Sequence, residues 1–276
     1  MAPVLRSLLS HGAVRFGAGV LAVLLMIAAL SPWLGTVDPA AMDSAHINTG
    51  AGSVGEFALL DGRTVAHTFW MGADNFGRDI YSRVLYGTRI SLLVGVCTAL
   101  VALSVGGVLG MLAGYFRAMD AVLMRVMDGL MAIPAILLAI AIPEIPRVTR
   151  LVRSLVLTLR EEPFVEAAKA LATPTPVILM RHILPNAMAP LIVQGTFIAA
   201  SAVLTEAILS FLGLGLPADI PTWGNIMAEG RVQFTQYPGN VLFPALFLVP
   251  TVLAINLLGD GLRDVLDPKF AKRGGA

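Results

Sequence analysis

Four stretches of this chain carry no charged residue, and each is long enough to cross a bilayer as a helix: Phe16–Val37, Ile90–Phe116, Asn186–Thr205 and Val232–Gly259. A helix rises about 1.5 Å per residue, so about 20 apolar residues cover roughly 30 Å of hydrocarbon. The bulk numbers agree. The chain is 57% hydrophobic and 13% charged, whereas soluble domains sit near half and a quarter. This excludes an ordinary soluble enzyme, a disordered chain and a collagen-like one. The expected fold class is an all-α polytopic membrane protein. The net charge of +1 gives no reason to expect a nucleic-acid partner. The single cysteine, Cys97, lies inside an apolar run and reads as an apolar filler. The first run exceeds the usual core of a signal peptide and no clean cleavage site follows in Ser31–Ala41, so it is expected to be a retained span.

The few charges orient the spans, because Lys and Arg concentrate in cytoplasmic loops. Arg6 and Arg15 precede the first run, Arg117 and Arg125 follow the second, and Arg263, Lys269, Lys272 and Arg273 end the chain. The stretch 147–181 holds Arg147, Arg150, Arg153, Arg160, Lys169 and Arg181. These pieces are expected in the cytoplasm, leaving 38–89 and roughly 206–240 outside. A conflict follows. The turn at 117–128 and the stretch 147–181 both belong inside, yet between them stands only the uncharged run Gly129–Pro143. That run is too short to cross twice. Either it is re-entrant, or a second span is absent from the sequence.

Several segments carry more specific signals. Gly106, Gly110 and Gly114 share one face of the second span and suit close helix packing. Within Met71–Leu92, Asp74 or Asn75 can cap a helix with apolar positions Phe76, Ile80, Val84 and Leu85. Arg78, Asp79 and Arg83 fall on other faces, which predicts an amphipathic helix at the membrane surface that leads into the second span. In Pro163–Leu191, Glu162 and Glu166 stand near a helix start, Pro163 suits its first turn, and Ala167–Ala172 is strongly helix-forming. Pro174 and Pro176 stop that helix. An alanine-rich helix between polar boundaries, projecting from a membrane domain, suits docking of a soluble partner. Glu206 is the one acid in the apolar region 186–218; it is a candidate for a gate or substrate contact, with Phe211 beside it, and the alternative is a cap at the outer end of the span that begins near Asn186. His182, next to Arg181, reads as an inter-subunit or headgroup contact.

Glu166-Ala167-Ala168 followed by Ile183-Leu184-Pro185 resembles the EAA loop of ABC-importer permease subunits. That family has a glycine where this chain has Ala172, which removes the residue best suited to a left-handed helix end. Gly72-Ala73-Asp74 through Gly77-Arg78-Asp79 is similar to a segment of the C-type permease of dipeptide/oligopeptide importers, a family with nickel-carrying relatives. So are Glu206–Gly215 with Pro221, Trp223 and Gly224, and Asn256–Asp264 with Asp267-Pro268. The resemblance implies six spans, with about the fourth missing here near Ile142/Pro143. The preferred expectation is an omitted stretch, since a true deletion would be expected to destroy the topology. An unbroken junction with no extra helix would argue against omission.

The resemblance implies this organisation: 1–37 as cytoplasmic N-terminus and first span, 38–88 as an external loop with an amphipathic helix, 89–268 as the permease core with a coupling loop at about 160–186, and 269–276 as a cytoplasmic tail. The coupling helix would comprise Phe164, Val165, Glu166, Ala167, Ala168, Lys169, Ala170, Leu171 and Ala172, with Glu166 as polar anchor and Ala167 and Ala168 allowing close approach. The Leu-Gly-Leu-Gly turn after Glu206 would shape an external, re-entrant gate region. The chain has no G-x-x-x-x-G-K-[ST] loop to cradle phosphates, so it is expected to be no enzyme and to hold no cofactor or metal. ATP and Mg would be bound by two partner ATPase subunits, or one two-domain ATPase. A homologous second permease and an extracytoplasmic substrate-binding protein would complete the assembly in the bacterial inner membrane, both termini cytoplasmic. Expected cargo is dipeptides or oligopeptides, with nickel chelates or another small solute as the alternative. An ATP-independent channel or carrier would need inverted repeats or several buried charges, and an intramembrane enzyme would need paired catalytic groups; neither pattern is visible in the sequence.

Overall fold

The computed structural model describes residues 11–132, 140 and 142–266. Among these, four helices are long and apolar enough to cross a membrane. They are α1 (Gly12–Leu30, continuing as a 3-10 turn to Trp33), α2 (Ile80–Tyr115), α6 (Thr175–Phe211) and α8 (Gly239–Leu266). Shorter helices are α3 (Arg117–Ala132), α4 (Glu144–Leu159), α5 (Pro163–Ala170) and α7 (Trp223–Gly230). α6 opens with a wide π turn over Ile178–Ile183, where the Leu184 N–H reaches back to Leu179 O. Pro185 has no N–H to donate, which favours such a local widening. Between α3 and α4 the chain passes Ile142–Pro143 as a turn, with the Ile145 N–H on Ile142 O at 3.3 Å. No further helix stands there among the described residues. The rest of the expected missing-span segment lies outside them.

The chain divides into two compact units. One comprises Met1–Val14, Val96–Ala202 and Leu258–Ala276. Its core joins Ala99 and Ala102 of α2, Val148, Val152 and Val156 of α4, Val165 and Ala168 of α5, and Ile178, Ile183, Ala187, Leu191 and Ile198 of α6.

The other unit comprises Arg15–Gly95 and Val203–Leu257. Its main core gathers Ile80, Val84, Val203, Ala207, Trp223, Ile226, Met227 and Leu248. The Trp223 indole N–H donates to Val84 O at 3.2 Å, so the buried ring leaves no orphan donor. This unit also holds an element absent from the sequence expectations, an antiparallel hairpin of β1 (Ser53–Ala58) and β2 (Thr64–Phe69) that pairs Ser53 with Phe69 and Ala58 with Thr64. Phe57 and Phe69 pack with Ala41 and Ala73 beneath it.

The Met71–Leu92 stretch differs from its expectation. The helix does lead into the second span, but it does not begin at Asp74 or Asn75. α2 starts at Ile80 and runs unbroken into the span, capped by Asp79, whose carboxylate accepts the Ser82 N–H at 2.8 Å. Asp74 instead organises the preceding turn, accepting the N–H groups of Phe76 at 2.8 Å and Arg78 at 2.9 Å. Phe76 is exposed, whereas Asp74, Arg78, Asp79 and Arg83 are buried. The two glycines of the motif are required by the backbone. Gly72 has φ +81° and Gly77 φ +72°, a region that L side chains avoid. A Cβ on Gly77 would also lie 1.9 Å from Asp43 O.

Candidate functional site

α5 is built to stand at the edge of its unit. Glu162 is extended (φ −74°, ψ 144°), Pro163 occupies the first turn, and Glu166 puts an acid near the positive end of the helix. Only Val165 and Ala168 turn inward. Both join the core with Val156, Ile178 and Ile183. The other residues of the proposed docking helix face outward: Phe164, Glu166, Ala167, Lys169, Ala170, Leu171 and Ala172 are exposed, with Leu171 82% accessible. One role therefore changes. Ala168, expected to allow close approach of a partner, is buried and packs inside the unit, whereas Ala167 is exposed.

The end of α5 also departs from expectation. The Thr173 N–H bonds Ala168 O at 3.1 Å and the Ala172 N–H bonds Lys169 O at 2.9 Å. That bond pair is the Schellman motif. Ala172 adopts the left-handed φ of +54°, so the stop is kept without glycine. The C-terminal end of α6 closes by the same bond pair, Leu214 N–H to Leu209 O and Gly213 N–H to Ser210 O, with glycine at φ +79°.

The glycine face of α2 packs within its own unit, as its spacing suggests. Ideal Cβ atoms on Gly106, Gly110 and Gly114 would fall 2.7, 2.6 and 2.6 Å from the Cβ atoms of Val148, Val152 and Val156. Two four-residue repeats run side by side in the same chain direction, with valines seated where side chains are missing. α4 is further held by ion pairs to α3. Arg153 grips both oxygens of Asp120, one at 2.6 Å, and Arg150 meets Asp128 at 2.5 Å.

Glu206 lies on α6 with only 1% of its surface accessible. One carboxylate oxygen accepts the Ser210 hydroxyl at 2.8 Å. The end of the helix is set by the Gly213 turn, so Glu206 is not its cap. Phe211 is held by Arg231, whose guanidinium stacks on the ring at 5.2 Å and donates to the Phe211 carbonyl. The Leu-Gly-Leu-Gly segment leads into a loop fastened by one side chain. The Asn225 amide donates to the carbonyls of Leu216, Pro217 and Ile220 at 2.9–3.1 Å.

Sequence reasoning missed a buried ionic cluster in the same unit. Arg83 donates to Asp74 and to Glu229, each at 2.7 Å, while Arg78 reaches Asp74 at 2.7 Å and also contacts Glu229. Two cations and two acids pair with one another, which offsets the cost of burying them, while the Arg83 Nε meets no acceptor among the described residues. Beside them His67 approaches Asp79 at 3.3 Å. Glu229 stands far along the chain from its partners and no local spacing announces it.

Residues 137–272 match the family described as the binding-protein-dependent transport system inner membrane component. The chain is 44% identical to a probable peptide ABC transporter permease of Sinorhizobium fredii, over 98% of this chain and 94% of the relative. It is 44% identical to a dipeptide transport system permease of Alkalihalophilus pseudofirmus, covering 76% and 75% of the two chains. Against an oligopeptide transport system permease of Bacillus subtilis the identity is 38%, covering 74% and 72%. The alignment to the first runs over 287 residues, more than the 276 of this chain. The relative therefore carries positions that this chain lacks.

Proposed function

Because the chain belongs to the family of binding-protein-dependent transport system inner membrane components, we propose that it is the permease subunit of an ATP-driven importer of dipeptides or oligopeptides. The cargo reading rests on the peptide, dipeptide and oligopeptide permeases to which nearly all of the chain or about three quarters of it is similar. The chain lines half of the translocation path, and a homologous permease lines the other half. An external binding protein delivers the cargo, and two cytoplasmic ATPase subunits supply the energy that this sequence, lacking a phosphate-cradling loop, has no means to extract. The complex sits in the bacterial inner membrane with the termini of this chain in the cytoplasm.

The observation that carries the coupling role is the geometry of α5. A short helix is pinned by two inward residues and presents Phe164, Glu166, Ala167 and Leu171 outward. A groove on the ATPase would receive this face, with Leu171 and Phe164 as apolar anchors and Glu166 as the polar one. Closure of the ATPases would then push α5 and the α4 and α6 helices packed on it, which is how a local contact becomes a rearrangement of spans.

The test replaces Leu171→Asp and, separately, Glu166→Ala, in the assembled transporter. Both positions are exposed, so the membrane fold and the amount of subunit should persist. Expected is loss of peptide uptake and of cargo-stimulated ATP hydrolysis for Leu171→Asp, with a smaller loss for Glu166→Ala. Full uptake in Leu171→Asp would remove α5 from the coupling path. If no ATPase co-purifies with the chain, the importer reading itself falls.

A further inference from the structure

We propose that a cavity between α4, α6 and the end of α8 binds the C-terminal carboxylate of a short peptide, with Arg263 as its counter-ion. The inference rests on the importer reading for the source of the peptide, and on a single compact unit for its geometry. The cavity measures about 550 Å³, within the range of small-molecule sites. Asn186, Pro190, Gln194 and Phe197 line it, and steps of four, four and three residues put them on one face of α6. The core uses a different face, that of Ile183, Ala187, Leu191 and Ile198. Leu151 of α4 and Arg263 of α8 stand across from it. A Cβ on Gly259 would collide with the Thr196 hydroxyl and meet the Phe197 ring at 3.5 Å. So α8 is pressed onto α6 one turn before Arg263.

The chemistry of the lining selects the ligand. Among the described residues of the wall, Arg263 carries the one charge, so the site favours an anion. Its neighbour Asp264 is turned to His11 at 3.6 Å, which leaves Arg263 without an ion pair among the described residues. A guanidinium presents a planar fork that matches both oxygens of a carboxylate. Asn186 donates its amide N–H to His182 O at 2.6 Å, and its side-chain oxygen remains an acceptor. Pro190 stands inside α6 without an N–H, so the Asn186 carbonyl lacks the donor that an α-helix supplies. Donors for a carboxylate thus sit beside acceptors for an amide N–H, and the end of a peptide carries both groups. Phe197 and Leu151 offer its side chain an apolar wall. A lipid would lay an acyl chain along that wall, where the polar Gln194 interrupts it.

Its position suits release. From Asn186 to Phe197 is about 16 Å at the rise of a helix, roughly half the hydrocarbon thickness. Arg181 before Asn186 and Arg263 in the last turn of α8 mark the cytoplasmic ends of both helices. The site is therefore a station on the inward half of the path, and it favours peptides with a free carboxylate over amidated ones.

The test is cysteine protection in the assembled transporter, in phosphatidylcholine nanodiscs without ATP, with the exposed Cys97 replaced by alanine. Position 193 lines the cavity, and Val193→Cys reports through its rate of modification by a small methanethiosulfonate. Ala189→Cys, also in the wall, replaces it should that variant fail to accumulate. Alanyl-phenylalanine should slow the modification, and its C-terminal amide should not. Arg263→Gln should abolish the protection while leaving the rate without peptide unchanged. Arg263→Lys should need about tenfold more peptide for the same protection, because it lacks the fork, and it carries the comparison should Arg263→Gln fail to assemble. Equal protection by the free and amidated peptides, no protection by either, or protection that survives Arg263→Gln overturns the site. A rate that falls on adding phosphatidylglycerol and then ignores the peptide also overturns it, with lipid as the occupant. ATP-driven uptake of the same dipeptide is measured separately. Uptake without carboxylate-dependent protection removes the site and leaves the importer reading; protection without uptake does the reverse.

Discussion

The left-handed residue at the end of α5 makes a quantitative case. Ala172 at φ +54° places its Cβ against the following carbonyl, a strain of about 1–2 kcal/mol for an L-residue. Ala172→Gly relieves this strain while keeping the two closing bonds, Thr173 N–H to Ala168 O and Ala172 N–H to Lys169 O. The gain is offset because glycine adds roughly 0.4–1 kcal/mol of freedom to the opened state. The net is about 0.5–1 kcal/mol in favour of the closed turn, or roughly twofold to fivefold in its opening equilibrium. Hydrogen exchange over 163–176, read by mass spectrometry in nanodiscs, reports that opening directly. Ala172→Gly should slow exchange of the amides of residues 172 and 173 by about twofold to fivefold, and Ala172→Val should speed it, because a β-branched residue tolerates this region worst. Unchanged exchange in Ala172→Gly, or equal behaviour of the glycine and valine variants, would show that residue 172 is not held left-handed.

Three further outcomes follow from the packing and the charges. Gly110→Leu should lower the thermal stability of the purified subunit by an amount corresponding to about 1–3 kcal/mol of overpacking, because Val152 already occupies that space. Gly107→Ala, where nothing lies within 4 Å, should be neutral, and equal effects of the two would discredit the groove. Glu229→Gln leaves Arg78 and Arg83 sharing one acid and should cost about 3 kcal/mol, read as loss of folded protein in detergent; wild-type yield and melting temperature would contradict a structural role for the cluster. Outside the membrane, burial pushes the Asp43 carboxyl up, but the N–H groups of Ala58 and Ala45 and the His46 side chain together hold it below its usual range. With the folded value depressed, the stabilisation is complete above about pH 4, the unfolded carboxyl value, and is lost as pH falls through the lower folded value. Amide protection of Ala58 should follow that course and lose its pH dependence in Asp43→Asn; protection that weakens on raising the pH would reverse the sign.

What the sequence announced is what short-range physics controls. The uncharged runs located the four long helices found among the described residues, although α2 begins ten residues before its run, at Ile80 rather than Ile90. It does so because Asp79 caps it and Arg83 is neutralised by partners from elsewhere. The α5 helix was legible from Pro163, Glu166 and the alanines, and the glycine face of α2 from its spacing alone. The hairpin was not. Its outward Val54 breaks the alternation that marks a half-buried strand, and only Asp61-Gly62 hinted at a turn. The ionic cluster was invisible for a different reason. Asp74, Arg78 and Arg83 read as solvated charges until Glu229, about 150 residues away, closes the set.

The same distinction explains why charge served the sequence reading well in one place and poorly in another. An arginine counts toward the cytoplasmic side only if it is solvated, and within 38–89 Arg78 and Arg83 are buried with acids and orient nothing. Over 117–160 the arginines are open or only partly covered, so the rule applies there, and it requires both ends of the segment on one side. Family length argued for another span to meet that requirement.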